Sequence, residues 1–221
     1  MASLSVDSAQ GVRTGSLLAS CVAEHGSGAH PWFASAALLS GPEASRNLAD
    51  AIHFLCALHG RHPGVIDHAA ARTVDAAGRA WLNAAASAAA AERTLLTRLA
   101  VAAGPLPSTP GGGGSEAAIQ AQRGALATLA QSDRKGTALG AALAFACDWA
   151  PIRKNVIDAA AKRLGVDTAP HGFGDEATLR AVADEAGASE RALLFGAQQL
   201  ALQHRALWDL LEARAQARLG C

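Results

Sequence analysis

The chain has 221 residues, enough for one large domain or two small ones. Half of it is apolar, yet alanine fills 56 positions, phenylalanine five and tyrosine none, which excludes disorder over most of the length and disfavours a β-sandwich or barrel. Nineteen basic side chains balance nineteen acidic ones, so the positive field of a general nucleic-acid binder is missing.

No uncharged apolar run reaches the roughly 18 residues of a membrane helix. The longest, between Arg79 and Glu92 and between Lys135 and Asp148, hold about a dozen each. Leu18-Ala19-Ser20-Cys21 has the form of a lipoprotein cleavage box. The apolar stretch after Arg13 is only about seven residues and includes Thr14, Gly15 and Ser16, and Asp7 stands where a basic segment belongs. A cytoplasmic chain is the expectation. The four cysteines (Cys21, Cys56, Cys147 and Cys221) form no CxxC pair and are expected as reduced thiols, and Cys221 is not expected to be a prenylation signal.

In chain order, the spacing predicts a first helix from about Val12 to His25, broken by Gly26-Ser27-Gly28. Pro31 suits the first turn of a second helix carrying Trp32, Phe33, Leu38 and Leu39. A third runs from Glu43 to Gly60, a glycine placed to end it, with Pro63 beyond. The fourth and longest is expected from Asp67 or Arg72 to Ala103. The stretch from Gly104 to Gly114, with three prolines and five glycines, reads as an exposed, flexible connector within a single domain spanning 1–221. Ser115 and Glu116 open a fifth helix to about Ser132, and a sixth runs from Thr137 towards Leu164 with a kink before Pro151. A short helix over Asp175–Ala186 and a last one from the cap Ser189 to Leu219 complete the pattern. The fold class is all-α, an antiparallel bundle of six to eight helices.

Helical wheels separate inward from outward polar groups. Asp50-Ala51-Ile52-His53 has the carboxylate-x-x-His spacing of di-iron bundles, but Leu48, Ile52, Leu55 and Leu58 define the opposite face. Asp50 and His53 therefore read as solvated, while His59 lies on the apolar side at the helix end. Glu92 shares its angle with Val74, Trp81, Ala88 and Leu99, in the middle of an apolar stripe. His204 falls among Leu193, Ala197, Leu200, Leu207 and Leu211. Gln122 sits between Ala118, Leu126 and Leu129, with Asp133 continuing that line. Glu92, Gln122, Asp133 and His204 are thus the candidate ligand-binding residues. The competing reading is a buried hydrogen-bond network that sets helix register, since a lone interior charge is costly. His30, His62 and His68 flank helix ends and turns and read as structural. No second carboxylate-x-x-His element, nucleophile elbow or phosphate loop is present, and no cofactor or metal is specified.

Leu106-Pro-Ser-Thr-Pro110, Ser115-Glu-Ala-Ala118, Ala121-Gln-Arg123, Gln131-Ser-Asp-Arg134 and Ala138-Leu-Gly-Ala-Ala142 resemble an uncharacterised family of helical proteins from GC-rich bacteria. The resemblance covers about the middle half of the chain. It implies a bundle of the ferritin-like class and no assigned activity. Two functions follow as expectations. One is a cytoplasmic, non-catalytic interaction or scaffold protein that meets a protein partner or a second copy. The other is a ferritin-like or haem-oxygenase-like bundle holding a metal or small ligand between helices. Neither nucleic acid nor membrane is an expected partner.

Overall fold

The computed structural model describes residues 13–220. Val12, Asp7 and Cys221, which enter the expectations above, lie outside them. Every regular element among the described residues is helical. Helix α1 spans Thr14–His25, and two 3-10 turns, Ser27–Ala29 and Pro31–Ala34, lead into the one-turn α2, Ala36–Leu39. Then come α3 (Ala44–His59), α4 (Val65–Arg72), α5 (Ala76–Ala103), α6 (Gly112–Ala130) and α7 (Thr137–Ile152). A π turn over Arg153–Ile157 joins α7 to α8 (Asp158–Leu164), and α9 (Glu176–Glu185) and α10 (Glu190–Leu219) finish the chain.

The centre of the core is α7. Its sequence is apolar all round, as expected of a helix enclosed on every side, and from Thr137 to Ile152 only Cys147, Ala150 and Pro151 escape full burial. α10 lies along it at unusually close range. A Cβ on Gly140 would land on the Leu193 carbonyl, and one on Gly196 would land on the Thr137 carbonyl. The two glycines let the backbones touch where any side chain would separate them. α1 packs on α7, α9 and α10, while on the other side α3 and α4 pack on α5 and α6 packs on α3, α4, α7 and α10.

Three expectations about helix continuity need correction. The second helix is a 3-10 turn, Pro31–Ala34, followed after Ser35 by the one-turn α2. The fourth helix is two: α4 ends at Arg72, and Asp75 caps α5 by accepting the Gly78 N–H at 2.7 Å. Val74, expected on the buried stripe, lies in this break and is 76% exposed. The apolar spacing runs through the break unchanged, so the wheel does not register it. Helix α6 also starts earlier than expected, at Gly112, with three of the four glycines in its first turn. Pro151, by contrast, sits near the expected distortion. α7 passes through it, and the wider π turn follows directly at Arg153.

The face of α3 that carries Asp50 and His53 is covered rather than solvated. Asp50, 1% exposed, accepts from Arg214 Nη2 at 3.0 Å and Nε at 3.2 Å, a bidentate pair. Arg218 adds a further donor to Asp50 and another to Asn47. The same arginines reach the connector: Arg214 Nη2 donates to the Pro107 carbonyl at 3.2 Å, and Arg218 Nη1 to Thr109 Oγ1 at 2.7 Å. His53 bonds the Gly104 carbonyl at 2.9 Å. Leu106, Pro107 and Thr109 are half-buried in consequence, not the open strap that their composition suggests. The wheel sees the moment of α3 alone, whereas the partners that cover this face come from the far end of α10.

Candidate functional site

The interior polar groups form two sets that meet at α7. Glu92 projects from α5 into the core, 6% exposed. Its Oε2 accepts the Trp149 indole N–H at 2.9 Å and the Arg153 Nε–H at 3.1 Å. Arg153 is delivered to this place by the π turn. It also bonds Asp158 and donates to the Ala169 carbonyl at 2.6 Å. A buried carboxylate left alone is costly, and here a guanidinium and an indole answer it.

His204, fully buried on α10, belongs to the second set. Its Nδ1 lies 2.6 Å from Asp148 Oδ2 and its Nε2 lies 3.0 Å from His59 Nε2. Asp148 takes two more donors from the turn after α1, the Ser27 N–H at 2.9 Å and the Ser27 hydroxyl at 2.6 Å. His59, at the C-terminus of α3, packs edge-on against Phe145 and Trp149, with centroids 5.0 and 5.7 Å away. Burial, reinforced by the charge His204 carries when protonated, pushes the His59 imidazole well below the usual histidine range.

A cavity of about 60 Å³ opens beside these groups. At roughly 10–15 Å³ per water it has room for about four waters or a few heavy atoms of a ligand. His59, Glu92, Phe145 and Trp149 form its wall with Leu58, Leu96 and Leu126, and Arg61, His68, Arg93 and Arg123 also line it. Arg93 is engaged by Asp67 at 2.8 Å. Arg123 is half-buried on α6 and makes no hydrogen bond or ion pair within the described protein. A larger opening of about 680 Å³ lies on the other side of α7, among Cys147, Pro151, His171 and Glu176, and Asp148 is part of its wall. Its charged pair, Glu176 and Arg180, is already joined. The smaller cavity is walled by the buried His59 and Glu92, and the larger one meets the buried Asp148.

Of the four residues singled out from sequence, Glu92 and His204 are both interior. They do not bond each other; Trp149, which donates to Glu92, packs against His59, which bonds His204. Gln122 is half-buried on α6, with Oε1 enclosed and unpartnered, and is not part of the cavity wall. Asp133 is exposed and paired with Arg72. Helix α6 stops at Ala130, so extending its wheel to Asp133 has no structural basis. Sequence reasoning passed over Ser27, Asp148 and Arg153. For Asp148 the signal was available: a helix apolar all round has no solvent face, so a charge on it must point inside.

Among the described residues no group of three or more His, Cys, Asp or Glu side chains converges to hold a metal. Cys21, Cys56 and Cys147 are free thiols, and burial, with the nearby Glu176 and Asp148 carboxylates, pushes Cys147 up to about 12. No helix among the described residues is long and apolar enough to cross a membrane. No curated protein and no solved structure matches the chain. Residues 22–219 match DUF6975, a family of unknown function, and the chain belongs to that family.

Proposed function

We propose that the protein binds a small organic ligand in the cavity between α3, α4, α5, α6 and α7. The observation that carries this reading is the composition of the cavity wall: ionisable and hydrogen-bonding groups from α3, α5 and α7 beside aromatic and aliphatic surface. Ligand sites of this kind, mostly apolar with a few convergent polar groups, are built between facing helices in bundles. In this reading the fold is an antiparallel, ferritin-like bundle in the cytoplasm that holds an organic molecule rather than a di-metal centre. That no three-ligand cluster converges among the described residues favours the organic ligand.

The test is a thermal-shift and NMR screen of molecules with up to about six heavy atoms, in anionic, neutral and cationic sets. A binder present at 100 times its Kd should stabilise the fold by about 2.7 kcal/mol. Ala127→Leu, which adds bulk at the cavity edge, should abolish that shift while leaving the unliganded fold intact. A screen with no binder, or a binder indifferent to Ala127→Leu, overturns the reading.

A second reading, an interaction protein, rests on Phe195 and Leu202, 45% and 38% exposed and seven residues apart on one face of α10. If that face meets a second copy, sedimentation should show a dimer that Phe195→Glu converts to monomer. A concentration-independent monomer removes self-association.

A further inference from the structure

We propose that the cavity takes a small carboxylate together with one proton, with Arg123 as the counter-charge and the His59–His204–Asp148 chain as the proton acceptor. This rests on reading the cavity as a ligand site, and it names the ligand class and the chemistry of capture.

The hydrogen-bond geometry limits where protons can be. As a carboxylate Asp148 only accepts, so His204 Nδ1 carries a proton towards it across 2.6 Å. In a neutral His204 ring Nε2 is then bare. Two bare nitrogens cannot face each other at 3.0 Å, so His59 Nε2 donates to His204 Nε2. That leaves Nδ1 of His59 as an unprotonated acceptor, with no hydrogen-bond partner among the described residues.

A carboxylate brought to this nitrogen meets lone pair against lone pair. One proton from solvent changes that. His59 Nδ1 gains a proton, the His59 Nε2 proton passes to His204 Nε2, and His204 becomes an imidazolium bonded to Asp148. Only N–H bonds form and break, and the net gain is one proton. His59 now presents an N–H donor, while the positive charge rests on the ring nearest a carboxylate. The lowered basicity of His59 fits this division, since burial opposes charge on His59 itself.

The charged surroundings complete the account. α5 contributes Glu92 and Arg93 to the cavity, α6 Arg123, and the α3–α4 turn and α4 contribute Arg61 and His68. Glu92 is already answered by Arg153 and Arg93 by Asp67. Arg123 is the half-buried cation of this wall without a carboxylate partner, and the apolar wall at Leu96, Leu126 and Phe145 suits a short hydrocarbon tail.

The experiment titrates full-length protein with acetate, propionate and butyrate by calorimetry at pH 6, 7 and 8, in buffers of different ionisation heat. n-Butanol serves as the neutral control. The expected result is uptake of one proton per carboxylate and an affinity that falls about tenfold for each pH unit gained, because the bound state holds more protons than the free one. Arg123→Gln should weaken butyrate at least tenfold and retain the proton uptake. His59→Gln should abolish the uptake. If His59→Gln does not fold, the wild-type and Arg123→Gln pH profiles decide. Histidine ¹⁵N spectra of the unliganded protein give an independent check: a bare His59 Nδ1 and a bare His204 Nε2 are expected. Carboxylate binding without proton uptake, n-butanol binding as tightly as butyrate, or the opposite tautomers overturns the inference alone. A cavity that accepts none of these probes, nor any member of the wider screen, overturns the ligand site with it.

Discussion

Asp50 and His59, both buried polar side chains of helix α3, have opposite fates. Asp50 takes three donors from Arg214 and Arg218, and the same guanidiniums hold Asn47, Pro107 and Thr109, so the carboxylate ties the end of α10 to the connector. His59, nine residues on, is held through one nitrogen and lines a cavity. Both clusters carry a desolvation cost. The first has partners for its carboxylate and works as a clamp. The second is left with capacity to bind something, and that separates a candidate site from a structural ion pair.

The largest expected effect comes from breaking the clamp. Asp50→Ala leaves two arginines facing each other without their carboxylate, and urea unfolding should show a loss of about 3–5 kcal/mol. Ligand affinity in the cavity should be unchanged once folding is restored by low temperature. A loss below about 1 kcal/mol would show that solvent reaches the clamp.

Glu92→Ala should cost less, about 2–3 kcal/mol, because Asp158 and the Ala169 carbonyl still answer Arg153. Glu92 and His204 have separate hydrogen-bond partners, so truncating both should be additive within about 0.5 kcal/mol. A larger coupling in the double-mutant cycle would join the two sets into one network through Trp149 and His59.

His59 also sets a pH dependence. Its imidazole is lowered in the folded protein, so below about pH 6.5 the unfolded chain binds more protons than the folded one. The unliganded protein should therefore lose stability as pH falls from 6.5, by up to about 1.4 kcal/mol per pH unit from this group. His59→Gln should flatten that slope in denaturation curves between pH 5 and 7. Asp50→Ala should not.

The smallest effect is at Cys147. With its thiol at about 12 instead of the ordinary 9.0, the thiolate fraction at pH 8 is lower by about a thousandfold. Iodoacetamide should leave Cys147 unmodified under conditions that alkylate a free thiol, with no change in stability. Rapid alkylation of the folded protein would mean that α9 opens away from α7.

The sequence made the helices legible where capping and apolar spacing coincide. α1, α3, α9 and α10 lie within a few residues of the expected spans because Gly26, Gly60, Asp175 and Ser189 mark their ends. The interior positions of Glu92 and His204 were legible for the same reason: each sits at the centre of a stripe whose members, Val74 apart, are buried. The break at Asp75 was not, because periodicity persists across it. The Asp50 clamp was not legible either, because Arg214 and Asp50 are 164 residues apart and a wheel reports only one helix at a time.

Composition and periodicity by themselves determined the helical class, most of the helix spans and the presence of charges inside the core. These are local properties, set by backbone propensity and by the angle at which each side chain leaves its helix. Which charge meets which partner was decided only by the tertiary structure. Gly140 and Gly196 bring α7 and α10 into backbone contact, and across this helix pair Asp148 bonds His204. The π turn after Pro151 supplies Arg153 to Glu92. Hydrogen bonds act over about 3 Å, and no pattern within one helix predicts a distance of that size to another.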